Sequence, residues 1–270
     1  MLKRWTSLNI IVCLKQILDP EMAPKDFKID TANRQPIQGN ANMVMDSFSE
    51  NALEAALQFR AKFGGEITVL CVGDKPADDV LRRAYSLTAN AAVRVWDPAW
   101  PELDANNLAY ILSNAVHKLG GADLILCGRQ SGDIERGLVG PMLAEQLGAA
   151  CVGMVYQIEK VGDLLNLKCE IDDGSQIVES HLPTVATITS NEANVPRLPK
   201  VKDVMMANRK PITVLSAADL NIDDSQVSPF TTLQDLFIPV QTSTCEMVEG
   251  DDGPAKAVNL ASRIKDLKVL

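Results

Sequence analysis

Asp123-Leu-Ile-Leu-Cys-Gly128-Arg-Gln-Ser-Gly132-Asp-Ile-Glu-Arg-Gly137-Leu-Val-Gly140-Pro141 runs from an apolar segment into a glycine-rich loop and then into a helical pattern. It predicts a strand at Asp123–Cys127 and a helix at Leu138–Leu147. Glycines at 128, 132, 137 and 140 are expected to let the backbone turn tightly and approach a ligand closely. A helix N-terminus with an arginine nearby suits a phosphate. Working outward, Asn9–Leu14, Ile67–Val72 and Ala91–Trp96 are further short apolar runs, and Val152–Ile158 is a fifth. Helical patterns separate them at Phe48–Phe63, Pro76–Leu87 and Asp104–Leu119. Continuously apolar strands alternating with helices indicate a parallel sheet covered on both faces, the α/β doubly wound architecture. Ser47-Phe48-Ser49-Glu50 is expected to start the first helix as a capping box.

Ligands in such sheets sit beyond the carboxyl ends of the strands, where strand order reverses. With the usual order, strands one and four flank that point. Three loops then share one mouth: residues 128–140, Cys13-Leu14-Lys15, and Asp46-Ser47-Phe48-Ser49.

Two stretches break the alternation. Residues 15–45 lack a strong helix and carry a small hairpin pattern near Asp26–Asp30, which suggests an insertion over the sheet edge. After residue 150 the pattern becomes antiparallel at Val152–Lys160, Leu164–Ile171 and Gln176–Glu179, before Thr184–Thr189 returns to the core. From Pro229 the chain is turn-rich up to a terminal helix at Ala255–Leu267. Residues 1–229 are therefore expected to form the α/β domain. Residues 230–270 are expected to form an arm that packs on a partner.

The 270 residues are long enough to bury a core without disulfides or metals. A net charge of −9 argues against a nucleic-acid surface. No apolar run reaches the length of a membrane span, and the N-terminal apolar stretch is too short for a signal peptide, so a cytoplasmic protein is expected. Six cysteines with no CxxC pair are expected to be small buried hydrophobes of a reducing compartment, and two isolated histidines offer no metal site. No GxxxxGK[ST] stretch is present and no GxGxxG follows strand one, which excludes a P-loop NTPase and an ordinary dinucleotide dehydrogenase.

Five ordered motifs resemble the electron transfer flavoprotein beta subunit family. Ile11-Val-Cys-Leu-Lys15-Gln is similar to its opening strand. Phe48-Ser-Glu50-Asn-Ala-Leu-Glu54-Ala-Ala-Leu follows its N-P-F-x-E-x-A-[LV]-E element. Leu126-Cys-Gly128-Arg-Gln130-Ser-Gly-Asp133 with Val139-Gly140-Pro-Met-Leu-Ala-Glu resembles its G-[KR]-Q-A-I-D…G-P loop and helix. Glu170-Ile-Asp172-Asp-Gly174-Ser-Gln176 resembles the signature at its antiparallel strands, and Asn194-Val-Pro196-Arg197-Leu-Pro199 with Lys210-Pro211-Ile212 its recognition segment. The resemblance covers about residues 9–213.

The resemblance implies a heterodimer with an alpha subunit that holds most of an FAD, while this chain buries a structural AMP. The nucleotide would be held by Cys13, Asp46, Ser47, Phe48, Ser49, Val72, Gly128, Arg129, Gln130, Ser131, Asp133, Gly137, Leu138, Val139 and Gly140, with Phe48 approaching the flavin edge. Asn194, Pro196, Arg197, Leu198 and Pro199 would dock a flavin dehydrogenase of the acyl-CoA type, and the arm would cross to the alpha subunit. The flavin carries the chemistry, so no catalytic acid, base or nucleophile and no metal is expected here. Departures from the pattern are Asp46-Ser47 for Asn-Pro, Thr88-Ala89-Asn90 for Gly-Ala-Asp, Leu138-Val139-Gly140 for Gln-Thr-Gly, and Val195 for Glu. Two alternatives stay open: an electron-bifurcating subunit in which a second FAD replaces AMP and accepts hydride from NADH, and a non-redox adenylate-binding protein. The single-flavin carrier ranks first.

Overall fold

The computed structural model describes residues 8–100, 102–240 and 245–268. The strands are β1 (Asn9–Leu14), β2 (Gln16–Leu18), β3 (Lys28–Asp30), β4 (Gln35–Ile37), β5 (Met43–Met45), β6 (Glu66–Val72), β7 (Ala91–Val95), β8 (Leu124–Gly128), β9 (Ala150–Val161), β10 (Leu164–Ile171), β11 (Gly174–Ser180), β12 (Thr184–Ile188) and β13 (Thr213–Leu215). The helices are α1 (Ser47–Phe63), α2 (Asp78–Ser86), α3 (Ala105–Lys118), α4 (Val139–Leu147), α5 (Val201–Ala207) and α6 (Gly253–Asp266).

Nine strands form one sheet in the order β11-β10-β9-β12-β8-β1-β6-β7-β13. From β12 to β13 all pairings are parallel, and β9, β10 and β11 extend the sheet antiparallel to one another. The chain leaves β1 toward β6 and β7, then returns to place β8 on the other flank of β1, so strand order reverses between β1 and β8. Side chains alternate along β1. Ile10, Val12 and Leu14 pack into the layer that holds α1 and α2, whereas Ile11 and Cys13 pack into the layer of α3 and α4. Burial on both faces is why these strands read as unbroken apolar runs rather than as an alternation.

The insertion after β1 differs from its expected placement. β1 is central, and β2 pairs antiparallel with β5 while β3 and β4 form the small hairpin. The Asp46 N–H donates to the Lys15 carbonyl at 2.9 Å, so the excursion begins and ends at one point above the carboxyl ends of the strands. It does not cover a sheet edge. The edges are instead β11 and β13, which pair β10 and β7.

The expected capping box also does not form. Asp46, not Ser47, is the N-cap of α1, and its carboxylate accepts from the Ser49 N–H at 3.0 Å. Glu50 lies one position too far along to close the box and faces Arg83 at 3.7 Å. Four of the six cysteines are buried as expected, but Cys151 and Cys245 are exposed. Beyond Val227 no described residue is buried, and α6 half-buries only Ala255 and Ile264, its other side chains standing in solvent.

Candidate functional site

A cavity of about 640 Å³ opens where strand order reverses, at the carboxyl ends of β1, β6 and β8. That volume lies within the range of small-molecule sites. Cys13, Asp46, Ser49, Val72, Gly128, Arg129, Gln130, Ser131, Asp133, Gly137, Leu138, Val139 and Gly140 all line it. Ser47 and Phe48 do not. Ser47 is the first residue of α1 and points to solvent, and the half-buried Phe48 ring lies beneath the Arg129 guanidinium, 5.1 Å from its centroid.

The two arms of the mouth are tied together by Asp46, which is 1% exposed. One oxygen caps α1 and the other accepts from the Gly132 N–H at 2.7 Å, so the loop after β8 is fastened to the start of α1. Lys15, at the end of β1, spans the same gap from the other side. Its ammonium donates to both Asp133 oxygens at 2.6 and 2.8 Å and to the Ser131 hydroxyl at 3.2 Å. The Lys15 N–H donates to the Ser49 hydroxyl at 3.1 Å.

Two of the glycines act differently from their sequence reading. A Cβ on Gly128 would lie 2.7 Å from the Phe48 Cβ, and one on Gly140 would lie 2.4 Å from the Thr187 methyl. These glycines let α1 and α4 approach the sheet and the loop rather than letting a ligand approach the backbone.

The polar end of the cavity is the start of α4. Its N-cap, Leu138, offers no side-chain acceptor, so the first N–H groups of the helix stay uncapped beside the cavity wall. The Arg129 Nε is buried with no partner among the described residues, while its Nη1 reaches the Met154 sulfur at 3.8 Å. The apolar wall includes Val72, Trp96, Leu103 and Leu108. Trp96 and Leu103 flank the loop after β7, which the sequence reading passed over although any loop at the carboxyl end of a parallel strand is eligible. Gln38 and Met43 enter from the insertion, where no periodicity signals them.

The expected docking segment lies apart from the cavity. Asn194 is fully buried and cannot touch a partner, which corrects its assignment to the docking surface. Arg197 is half-exposed, but its guanidinium forks onto the buried Glu54 of α1, with Nε to Oε2 at 2.7 Å and Nη2 to Oε1 at 2.8 Å. Pro196 and Pro199 are half-buried, and Leu198 stands out at 84% exposure. Val201 and Met205, on α5, continue that exposed apolar surface.

Burial pushes the Glu54 carboxyl up, but hydrogen bonds from Arg197 and Gln58 outweigh it and hold the group below its usual range. A carboxyl with a depressed folded pKa stabilises the protein above its unfolded pKa, about 4.3, and that contribution is lost as pH falls through the folded value. Arg197→Ala is therefore expected to cost about 2 kcal/mol near neutral pH, less than a fully buried pair because water reaches the site once the guanidinium is gone. The loss should shrink as the unfolding measurement is moved below about pH 4. An equal loss across that range in urea titrations would show that the pair is not its source.

An α/β sheet that reverses its strand order beside a cavity at the carboxyl ends of β1 and β8 defines the doubly wound class that binds ligands at the switch point. The electron transfer flavoprotein domain matches residues 37–220. The chain belongs to the electron transfer flavoprotein family, and its place in electron transfer follows from that membership. It is similar to electron transfer flavoprotein subunit beta of Thermoanaerobacterium thermosaccharolyticum, at 34% identity over 82% of this chain and 83% of that one. It is also similar to the protein of that name from Megasphaera elsdenii, at 31% over 93% and 95%. The acryloyl-CoA reductase electron transfer subunit gamma of Anaerotignum propionicum is 29% identical over 91% and 94%. Among the described residues no helix is long and apolar enough to cross a membrane, and no cluster of three or more metal-ligating side chains occurs.

Proposed function

We propose that this chain is the beta subunit of a heterodimeric electron transfer flavoprotein, carrying electrons from a flavin dehydrogenase to an oxidoreductase acceptor in the cytoplasm, with a structural AMP in its cavity. The cavity carries the reading. Its donor set suits an anionic phosphate: the uncapped start of α4, the Lys15 ammonium, the Arg129 guanidinium and the Ser131 hydroxyl. Its wall of Val72, Trp96 and Leu108 suits the faces of a base. The flavin, held mainly by an alpha subunit, supplies the one-electron chemistry when bound. This chain's residues would bind the nucleotide and present Phe48 and Arg129 at the end of α1. The name of the Anaerotignum relative, an electron transfer subunit of a CoA-ester reductase, supports a CoA-linked dehydrogenase as partner. Among its described residues the arm from residue 230 buries nothing of its own and exposes Phe230, Phe237 and Ile238, which supports its packing on the alpha subunit.

A second reading is favoured by the size of the site. A cavity of about 640 Å³ that continues to Gln38 and Met43 has room beyond a mononucleotide, as a second FAD in a bifurcating, NADH-oxidising subunit would require. Co-purification with the alpha subunit, denaturation and chromatography of the released cofactors tests both. One FAD with one AMP is the expected result. Two FAD and no AMP would replace the first reading with the second, and a colourless complex holding only adenylate would overturn both.

Docking makes a separate prediction. Leu198→Glu places a charge on the most exposed apolar side chain of the segment. It is expected to slow flavin reduction by the partner dehydrogenase at least about tenfold, equivalent to 1.4 kcal/mol, in stopped-flow absorbance. Stability should change by no more than about 0.5 kcal/mol, as for other surface substitutions. An unchanged rate would remove Leu198 from the docking surface.

A further inference from the structure

Two of the thiols that look isolated in the sequence are brought side by side by the fold. β1 and β8 run parallel, with Ile10, Ile11 and Val12 opposite Leu124, Ile125 and Leu126. Cys13 and Cys127 stand one residue further along each strand. Both side chains belong to the α3–α4 face of the sheet, and both reach the wall of the cavity. Adjacent strands are about 4.8 Å apart, inside the Cα separation of about 4.4–6.8 Å that a disulfide spans. β1 and β8 are direct neighbours in the sheet, so no strand stands between the two thiols. Cys71, on β6, belongs to the opposite face.

We propose that Cys13 and Cys127 form an oxidisable dithiol in the cavity wall, a modification site that closes to an intramolecular disulfide when a peroxide reaches it. This goes beyond the nucleotide-carrying role and does not depend on it. One sulfur attacks the O–O bond of hydrogen peroxide, becomes a sulfenic acid and releases the first water. The second sulfur then attacks the sulfenic sulfur, the S–S bond forms and the second water leaves. Two thiols and one peroxide yield one disulfide and two waters. The sulfurs lose two electrons and the peroxide gains them. Both thiols are nearly covered, so a small oxidant is favoured over a bulky disulfide.

Hydrogen bonding to Cys127 and burial push the Cys13 thiol well above its usual range, Cys71 on the opposite face of the sheet adds a smaller electrostatic push, and the charged groups of the surrounding cavity wall include Lys15, Asp46, Arg129 and Asp133. A thiol titrating above the working pH gains about tenfold in thiolate per pH unit, so closure is expected to accelerate steeply between about pH 7 and 9.

The test uses the full wild-type chain. It is treated with hydrogen peroxide and denatured, its remaining thiols are alkylated, and its peptides are mapped by mass. The expected product joins the peptides of Cys13 and Cys127, two hydrogens lighter than the pair of free thiols, and dithiothreitol restores both. Cys151→Ser, at an exposed position, should leave the linkage intact. Three outcomes would overturn the proposal: both thiols recovered fully alkylated while Cys151 and Cys245 oxidise, sulfinic acid at either position without a linked peptide, or linkage to any other cysteine.

Discussion

Replacing Asp46 with alanine is expected to cost about 3 kcal/mol and to empty the cavity of the nucleotide proposed for it. The cap on α1 contributes about 1 kcal/mol, and the charge-assisted bond from the Gly132 N–H about another 2. For a domain of this size the melting temperature should fall by about 10 °C. Asparagine is not a neutral replacement, although an asparagine occupies this position in the pattern the sequence resembles. The two carboxylate oxygens face two different N–H donors, on Ser49 and Gly132. An amide has one oxygen, and its NH2 would point a donor at a donor. Asp46→Asn should therefore lose about half of what alanine loses, and which donor is stranded decides the phenotype. If the amide oxygen keeps the Ser49 cap, α1 stays in place and only the loop at Gly132 loosens, which lowers nucleotide content more than stability. Thermal unfolding of both variants alongside released-nucleotide analysis separates the cases. An Asp46→Ala protein with unaltered melting temperature and full AMP would disprove the bridging role.

The same residue shows how far the sequence could be read. β1, β6, β7 and β8 were legible because burial on both faces leaves strands with no polar alternation, and the helices between them because glycine and charge punctuate them. The cap of α1 was misread because Asp46 and Ser47 are both good N-caps. Local chemistry does not rank them, and the bond from Gly132 on a distant loop does. Gly128, Gly137 and Gly140 of the loop line the cavity, but the atoms that crowd Gly128 and Gly140 belong to Phe48 and Thr187, which only the packed structure brings there. β13 escaped notice because a three-residue edge strand with Val214 exposed has no apolar run to read. The resemblance implied that Asn194 and Arg197 are docking contacts. Their side chains instead turn inward to α1, where Asn51 and Glu54 wait on a helix whose buried polar residues the apolar periodicity does not explain.

That inward turn makes Asn194→Ala the second large effect, about 4 kcal/mol, because it strands several buried groups at once. The Asn194 Nδ2 donates to the Thr189 carbonyl at 2.8 Å and the Tyr156 carbonyl at 3.3 Å. Its Oδ1 accepts from the Asn191 N–H at 3.0 Å and the Asn51 Nδ2 at 3.1 Å. Each buried group left without a partner costs about 1–3 kcal/mol, and water cannot replace a side chain that is wholly enclosed. Asn194→Asp is the sharper variant. It keeps acceptors for Asn191 and Asn51 but turns an oxygen toward the Thr189 and Tyr156 carbonyls, so it should destabilise about as much as alanine despite its shape. Because Leu198 hangs from this anchor through Val195 and Pro196, the variants should also slow reduction by the proposed partner dehydrogenase while Leu198 itself is intact. Urea unfolding measures the first effect and stopped-flow flavin reduction the second. Loss of stability without loss of rate would mean that the segment keeps its shape through Arg197 and Glu54 alone, and that the Asn194 network serves the β9–β12 junction instead.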